Sequence, residues 1–425
     1  MAPFLNCLVV LTAVRHMVVV RGRSRHTFGF APLDHFDLPL LELQALMTSD
    51  ELRLDPVDTS DFLYWANVSV NVNNDTDTAC QRLIDAAARS IFTHASFEIV
   101  HSSHQLANVA ILAKAAGCEL SFSLTQVVDM GNPNLSNADR IAILNHAGVV
   151  VDSKRVAMPS HSVLIRQDNG RVHIGRRTAT GPAAGLGAPG KAQRRNYKGV
   201  LGTFALKNRL RFDLTNTAME TEIAFYMANL ARVSKGSRIL DPCCGSASLL
   251  LIAAACGAEE IVGVDSNSTA FWGASEEFQR HALPVPVLTH GDVLEPHMTN
   301  ALFISQYYDA IICDPPYNIG APVLVDGRDD RPARYDQEHL NKPSSVSPLD
   351  LTAAVLEIAH RTLVIGGRLV FFVPVRGDEA NLSLEEAMLR RGWDEDSSTL
   401  EIVHGRLQRF SATFSRWLVC MERNT

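Results

Sequence analysis

Four aspartates each close a predicted β-strand in the second half of the sequence: Asp241 in "ILDPCC", Asp265 in "IVGVDSN", Asp292 in "HGDVLEP" and Asp314 in "AIICDPPYNIG". In an open sheet of parallel strands, ligands bind in the crevice outside the carboxyl ends of the strands. Carboxylates accept hydrogen bonds there and attract positive charge. The pattern therefore predicts a crevice for a ligand that carries hydroxyl groups, amines or a cation.

The loop after Asp241 consists of small residues. Gly245, Ser246 and Ala247 leave room for a ligand to approach the backbone, at the point where a helix is predicted to begin. The acid at the start of this loop would repel a pyrophosphate. It suits S-adenosylmethionine, which carries both an ammonium and a sulfonium group. The alternative interpretation is a tight turn between strand and helix without a ligand.

The next two strand ends fit the adenosine part of such a ligand. Asp265, followed by Ser266, lies about 20 residues after the loop, where an acid can accept hydrogen bonds from both ribose hydroxyls. Asp292 and the backbone N–H of Val293 can contact the edge of an adenine. The alternative for Asp265 is a surface cap on the following helix, which Ser266, Asn267 and Ser268 could also cap. The alternative for Asp292 is an exposed turn acid.

The fourth strand ends in Asp314, Pro315, Pro316 and Tyr317. Two prolines fix φ twice and remove two backbone donors, so the Asp314 carboxylate and the Pro315 carbonyl are two acceptors in a fixed relation. Such a pair can accept both N–H bonds of an exocyclic amine and stabilise the positive charge that grows on its nitrogen. Tyr317 offers a face on which a base can stack. The alternative is a proline-rich strand terminator with a loop acid.

The elements that position these residues alternate between strand and helix from about residue 214 onward. Strands separated by helices of about 10–15 residues indicate βαβ units and a parallel sheet, and two final strands indicate an antiparallel hairpin. The fold class is therefore α/β with a mixed sheet. Residues 1–177 predict an α+β region, residues 178–200 a Gly/Ala/Pro-rich basic linker, and residues 201–425 the α/β domain.

Composition narrows the classes of function. The net charge of −7 argues against a generally basic nucleic-acid binder, but the stretch from Arg171 to Arg211 holds ten Lys or Arg and no acid. That stretch is either a solvated face or a surface for a polyanion. Eight scattered cysteines without a C-x-x-C pair argue against a disulfide framework and a zinc ribbon. No metal is expected at the site, because the leaving sulfide of S-adenosylmethionine is already activated.

The N-terminus leaves the location of the protein open. We find no predicted transmembrane helix, and the cysteine usage indicates a reducing, cytoplasmic compartment. Residues 1–33 hold four arginines and no acid, which is also typical of a transit peptide and makes a mitochondrial location the alternative. The competing interpretation of these residues is a first strand followed by a basic loop.

At Asp314–Tyr317 the chain resembles the amino-methyltransferases, whose motif is [D/N/S]-P-P-[Y/F/W], and the order of motifs resembles the class I (Rossmann-like) S-adenosylmethionine-dependent fold. The segment "FALKNRLRFDLTNTAMETEIAFYMAN" followed by "KGSRILDPCCGSASLLLIAA" is similar to the tRNA guanine-N2-methyltransferases that act on guanosine 10. This resemblance implies a ferredoxin-like and THUMP-like RNA-binding region in residues 1–177, and tRNA as substrate. It also implies, for eukaryotic members, a heterodimer with a small zinc-binding activator subunit.

Carried over to this chain, the resemblance implies a role for each motif. Asp241, Gly245 and Ser246 would contact the methionine part of the cofactor, Asp265 the ribose and Asp292 the adenine, and Asp314 to Tyr317 would hold the guanine. Thr215, Thr217 and Glu222 would border the cofactor pocket. The chain departs from the family at Gly245-Ser246-Ala247, where G-T-G is usual, and at Asn318, where glycine is common.

Three functions are compatible with the sequence. The first is methylation of the exocyclic N2 of a guanosine in tRNA, in which the target base is flipped out of its stack. The second is amino-methylation of another RNA or DNA base or of a protein amide, because these reactions use the same four-residue motif. The third is a non-catalytic RNA-binding homologue. The basic stretch and the N-terminal α+β region favour the first.

Overall fold

A computed structural model describes these residues of the chain: 14–20, 37–47, 52–56, 63–68, 76–91, 93–107, 109–118, 120, 125–129, 136–149, 162–166, 170–180, 199–205, 219–294, 307–317, 348–376, 379, 382–395, 398–411 and 414–424. They form two compact units, the first ending with Thr180 and the second starting at Gly199. Within the described residues, no helix is long and apolar enough to cross a membrane.

The first unit is an α+β sheet structure. Its strands are β1 (Val14–Val20), β2 (Leu52–Pro56), β3 (Leu63–Val68), β4 (Thr93–Ser103), β5 (Thr125–Asp129), β6 (Ser162–Arg166) and β7 (Val172–Thr180). They run in the order β2-β3-β1-β4-β7-β6-β5, and of these pairs only β5 and β6 are parallel. The helices are α1 (Asp37–Leu46), α2 (Thr76–Arg89), α3 (Val109–Ala115) and α4 (Asn137–His146).

The second unit contains the predicted α/β fold. Its strands are β8 (Arg238–Asp241), β9 (Glu260–Asp265), β10 (Val287–His290), β11 (Tyr308–Cys313), β12 (Leu363–Arg376), β13 (Leu400–Arg409) and β14 (Phe414–Arg423). Its helices are α5 (Gly199–Thr203), α6 (Thr221–Leu230), α7 (Ser248–Ala255), α8 (Ala274–Arg280), α9 (Pro348–Thr362) and α10 (Leu384–Leu389).

The sheet of the second unit has the order β10-β9-β8-β11-β12-β14-β13. The pairs from β10 to β12 are parallel, whereas β14 pairs antiparallel with both β12 and β13. The mixed sheet and the C-terminal hairpin predicted from the sequence are therefore confirmed. The seven residues from Leu369 to Val375 and their partners on β14 are mostly buried, which is typical of a strand covered on both faces.

Two of the helices, α6 and α7, are buried along almost their whole length. All ten residues of α6 are buried, and seven of the eight residues of α7 are buried. Gly263 on β9 permits this packing, since a Cβ there would lie 2.8 Å from Cys244 Sγ, Leu250 Cδ1 and Leu288 Cδ2. The absence of a side chain at Gly263 thus brings α7 and the loop before it against the strand.

Some predicted elements have different bounds in the structure. The helical pattern of the sequence over residues 268–283 is divided in the structure, because Ser268–Phe271 form a short 3-10 helix and Gly273 adopts φ 71 before α8 begins. Residues 178–180 belong to β7 and residues 199–200 to α5, while residues 181–198 of the predicted linker lie outside the described residues. The THUMP-like assignment of the first unit stays a prediction.

Candidate active site at the carboxyl ends of the parallel strands

The order of the second sheet places its topological switch point between the neighbouring strands β8 and β11. The chain runs from β8 to β9 to β10 on one side and then crosses to β11 on the other side of β8. Ligands bind at such a switch point in open α/β sheets. Leu240 on β8 is level with Ile311 on β11, so Asp241 and Asp314, which follow one and three residues later, come to the same end of the sheet.

Asp241 is the most deeply buried acid of the site, with a relative exposure of 1%. Its Oδ1 accepts a hydrogen bond from the backbone N–H of Cys243 at 3.1 Å, which folds the loop back over the end of β8. Burial raises the pKa of Asp241 well above its ordinary value, and the negative charges of Asp265 and Asp314 add to this effect. A carboxyl in this state favours a cationic ligand, because a positive charge would restore its ionised form.

The loop between Asp241 and α7 has an open side. Gly245 adopts φ 49 and a Cβ built on it would meet no atom within 4 Å. Ala247, which precedes α7, is also left-handed at φ 58 and makes no side-chain cap. Ser246 is partly buried, and its hydroxyl lies 3.2 Å from that of Ser248. The loop therefore leaves space beside its backbone, as the sequence predicted for a closely approaching ligand.

Asp265 connects this loop to the second motif. Its two carboxylate oxygens accept backbone N–H groups, Oδ2 from Gly245 at 2.7 Å and Oδ1 from Asn267 at 2.9 Å. Burial raises the pKa of Asp265, and the two backbone hydrogen bonds oppose that rise. A carboxylate has about four lone-pair positions, so two remain for the hydroxyl groups of a ribose.

In the structure, Asn267 rather than Ser266 caps the short 3-10 helix that follows β9. The Asn267 side chain accepts the N–H and the hydroxyl of Thr269 at 3.1 and 2.7 Å. Ser266 instead contributes its carbonyl oxygen, which accepts a hydrogen bond from His290 Nε2 at 3.0 Å. Ser266 thus lies beside the end of β10 rather than at the start of a helix.

Asp292 follows β10 in the same part of the unit. Its Oδ1 accepts the backbone N–H of Leu294 at 3.0 Å, and Val293 is buried at 5% exposure. A hydrogen bond with Cys313 lowers the pKa of Cys243, but burial and the charges of Asp241, Asp265 and Asp292 together raise it. The Cys243 thiol is therefore close enough to three of the four aspartates for their charges to affect its pKa.

Asp314 and Tyr317 are joined by an arginine from the last strand. Arg416 Nη1 lies 3.3 Å from Asp314 Oδ1 and donates a hydrogen bond of 2.7 Å to the Tyr317 hydroxyl. Pro315 is buried, while Asp314, Pro316 and Tyr317 are partly exposed. Burial raises the pKa of Asp314 to about 6, and Arg416 opposes this rise. The four-residue motif thus presents a carboxylate whose pKa is close to neutrality.

Of the three predicted residues that precede the first motif, the structure describes only Glu222. Glu222 is buried in the first turn of α6, and Thr215 and Thr217 lie outside the described residues. Arg416 belongs to the site as well, although no motif in the sequence indicated it. The signal for it was a cation inside the otherwise apolar strand sequence "FSRWLVC", because a buried arginine requires a partner.

The geometry of the site fits S-adenosylmethionine. Asp241 and Asp265 have raised pKa values and, among the described residues, neither forms an ion pair with Lys or Arg, so the crevice favours a ligand that brings its own positive charge. The open side of Gly245 provides the space, and the lone pairs of Asp265 provide acceptors for hydroxyl groups.

The sequence of this region is similar to a known class of enzyme domain. Residues 208–321 match the model of the family UPF0020, described as the RMKL-like methyltransferase domain. The matched range includes the four aspartates, the loop after Asp241 and the stretch Asp314–Tyr317. The second unit is thus similar in sequence to this methyltransferase domain at its site.

Particular relatives have a more specific name. The tRNA (guanine(10)-N(2))-methyltransferase TRMT11 of Dictyostelium discoideum is 32% identical over 176 residues, which make up 39% of this chain and 34% of that protein. The protein of the same name from Homo sapiens is 27% identical over 248 residues, 53% of this chain and 50% of its own. The crystal structure of TrmN from Thermus thermophilus is 15% identical with a TM-score of 0.44, covering 96% of this chain and 99% of that one.

The two curated relatives confirm the resemblance that the sequence motifs indicated. The matches reach only 34% and 50% of the lengths of these relatives, so the chain spans about half of them or less.

Proposed function

We propose that this protein transfers a methyl group from S-adenosylmethionine to the exocyclic N2 of a guanosine in tRNA, with guanosine 10 as the target. One observation carries the proposal. The Asp314–Tyr317 motif lies at the same strand ends as the buried carboxylates Asp241 and Asp265, so the amine acceptors and the cofactor acceptors share one crevice. The names of the relatives supply the target base.

The residues of this chain have distinct roles in the reaction. S-adenosylmethionine supplies a methyl group that its sulfonium charge already activates. The exocyclic amine is a poor nucleophile because its lone pair is delocalised into the ring. Asp314 and the Pro315 carbonyl accept its two N–H bonds, which localises the lone pair and stabilises the developing positive charge. With a pKa of about 6, Asp314 can then accept the proton that the methylated amine loses.

The test is methyl transfer by the purified full chain to unmodified tRNA, with mass spectrometry of the nucleosides. We expect N2-methylguanosine at position 10 in the wild type and no turnover in Asp314→Ala, which should still bind tRNA. Calorimetry with S-adenosylmethionine forms the second arm, with Asp265→Ala as the variant that loses affinity. Cofactor binding without methylation of any tRNA would contradict the proposal, and absence of cofactor binding would favour a non-catalytic RNA-binding homologue.

We also propose that the first unit and the basic stretch bind tRNA. Of the ten basic residues in that stretch, Arg171, Arg176 and Arg177 are described, and Arg176 is paired with Glu98 at 2.6 Å. We therefore assign the phosphate contacts to the lysines and arginines between residues 191 and 211. Replacement of Arg194 and Arg195 by Gln should weaken tRNA binding and reduce the salt slope by about two, while S-adenosylmethionine affinity stays unchanged.

A small zinc-binding activator subunit is the partner we propose for this enzyme. The edge strands of the second sheet are β10 and β13, and an open edge can pair with a strand of another chain. Val287 on β10 and Val403 on β13 are 62% and 44% exposed. Val287→Lys and Val403→Lys form a matched pair of variants, one at each edge. One of them should abolish co-purification with the subunit and the other should not. If both variants still co-purify with the subunit, neither edge is the binding site.

We propose a cytoplasmic location, with the mitochondrion as the alternative. None of the cysteines in the described part of the chain forms a disulfide, which is typical of a reducing compartment. A fluorescent fusion of the full chain, compared with one that lacks residues 1–26, tests this. Mitochondrial fluorescence that depends on those residues would favour the alternative.

A further inference from the structure

Arg416 has an environment that is unusual for an arginine on a sheet strand. It lies on β14, 102 residues away from Asp314 along the chain, and its exposure is only 7%. Its Nε donates a hydrogen bond of 2.6 Å to Gln408 Oε1 on the neighbouring strand β13. Its Nη1 is the atom that contacts both Asp314 and Tyr317. The guanidinium therefore has one nitrogen anchored in the sheet and another in the site.

Three aromatic rings lie close to the Arg416 guanidinium. Arg416 Cζ lies 3.6 Å from the centroid of the buried Phe372 ring and 5.3 Å from that of Phe410. It also lies 5.7 Å from the Tyr317 ring. Cation–π contacts of this kind are strongest where the cation is shielded from water. Gln408, Phe372 and Phe410 thus hold the charge in place without a contribution from Asp314 or Tyr317.

The fixed guanidinium orients two of the four residues of the amine-binding motif, Asp314 and Tyr317. Asp314 Oδ1 faces the guanidinium, and within the described residues Asp314 Oδ2 accepts no hydrogen bond from another side chain or backbone group. The Tyr317 hydroxyl oxygen accepts a hydrogen bond from Arg416 Nη1, which sets the direction of the ring. One oxygen of the carboxylate is thereby left for the amine, and the stacking face has a defined relation to it.

We propose, building on the function proposed above, that Arg416 is a positioning residue for the methyl-accepting site. It fixes the Asp314 carboxylate and the Tyr317 ring in one relative orientation, and its charge keeps Asp314 available as an acceptor. It acts through these two residues, both of which its Nη1 contacts. A lysine would not replace it fully, because a single ammonium lacks the planar fork that reaches Gln408 and the site at once.

The charges around Asp314 determine the sign of the expected pH effect. Arg416 faces it from β14, and Asp241 faces it from β8, where the charge of Asp314 raises the pKa of Asp241. Cys313 is the adjacent thiol, and Glu220 before α6 acts on Arg416. Burial raises the pKa of Asp314 and Arg416 opposes that rise. Without the guanidinium the pKa of Asp314 must increase further.

The experiment compares pH profiles of kcat/KM for tRNA methylation in the wild type, R416M and R416K. An opposite charge at this distance lowers a carboxyl pKa by about one unit or more, so the acidic limb of R416M should move to higher pH by about that amount. At pH values below the pKa of Asp314, kcat/KM should decrease about tenfold for each pH unit by which the limb moves upward. R416K keeps the charge, so its limb should stay close to that of the wild type while kcat decreases.

The matched control is R391M. Arg391 is a buried arginine of the same unit, bonded to the carbonyls of Ala387 and Pro374 and to Glu379. Its loss should lower the melting temperature and leave the acidic limb in place. If R416M does not fold, R416Q supplies the neutral variant, with the same expected shift. An unshifted limb in a folded neutral variant, or an equal shift in R391M, would overturn the positioning role.

A second readout separates this inference from the proposed function. Infrared difference titration of wild type against D314N reports the Asp314 carboxyl without turnover. The carboxyl should titrate at higher pH in R416M than in the wild type. If the wild type methylates no tRNA, the proposed function fails while this titration still tests Arg416. If methylation occurs and the titration does not move, only the role of Arg416 fails.

Discussion

Replacement of Asp314 by Asn should make the protein more stable and much less active. The carboxyl has a pKa of about 6 in the folded protein against an ordinary value of 3.8, a difference of about two pH units. At about 1.4 kcal/mol per unit, the ionised side chain destabilises the fold by about 3 kcal/mol. The side chain is 19% exposed, so solvent screening reduces this value only in part. The neutral Asn avoids the cost.

The pH dependence of the difference follows from the sign of the pKa change. Below pH 3.8 the carboxyl is protonated in both the folded and the unfolded chain, and wild type and D314N should be equally stable. Between pH 3.8 and about 6 the folded state binds more protons than the unfolded state, so the stability of the wild type falls as pH rises. Above about pH 6 the advantage of D314N should be complete. Asp241 adds to it, because the loss of the Asp314 charge lowers the pKa of Asp241.

The assay is chemical unfolding at several pH values, followed by tryptophan fluorescence. Three of the four tryptophans, Trp272, Trp393 and Trp417, belong to the second unit, so the signal reports mainly that unit. Methyl transfer should decrease by about 10²–10³-fold, as for the removal of one group that stabilises transition-state charge. A D314N protein that is no more stable than the wild type at pH 7.5 would refute the reasoning.

The neighbouring Asp309 provides a control of opposite sign. Its carboxylate accepts hydrogen bonds from the backbone, Nε and Nη2 of Arg238, and these hydrogen bonds lower its pKa. D309N should therefore lose stability above pH 3.8, by about 1 kcal/mol or less for such an exposed pair. This loss should vanish as pH falls through the lowered pKa. A common pH dependence for D309N and D314N would show that the difference does not arise at Asp314.

Three further predictions follow from other parts of the site. Gly263→Ala should destabilise the second unit by about 1–3 kcal/mol, because its Cβ would lie 2.8 Å from three side-chain atoms; an unchanged unfolding midpoint would contradict the packing described for α7. Tyr317→Phe should keep most of the base affinity and Tyr317→Ala should lose about 1–3 kcal/mol of it, and equal losses in RNA titrations would exclude stacking. S-adenosylmethionine binding should release protons and become tighter as pH rises, because a cation lowers the raised pKa values of Asp241 and Asp265; calorimetry in buffers of different ionisation enthalpy should detect this, and no buffer dependence would contradict it.

The sequence by itself determined the local features of the second unit. The alternation of apolar runs with helical patterns predicted the parallel strands and the final hairpin, because the periods of strands and helices are local properties. The positions of Asp241, Asp265, Asp292 and Asp314 at strand ends followed from the same pattern. The bounds of the elements were less accurate. The break at Gly273 depends on a positive φ that glycine permits but does not require.

Only the tertiary structure decided which of these residues act together. The place of β11 beside β8, after the chain has already formed β9 and β10, brings Asp314 to Asp241. The antiparallel return of β14 then places Arg416 against Asp314 and Tyr317, 102 and 99 residues away in sequence. A local sequence pattern cannot predict such contacts, because they depend on the order and register of the strands in the sheet. The pKa of Asp314 depends on them as well, because burial and the guanidinium charge both come from elements remote in sequence.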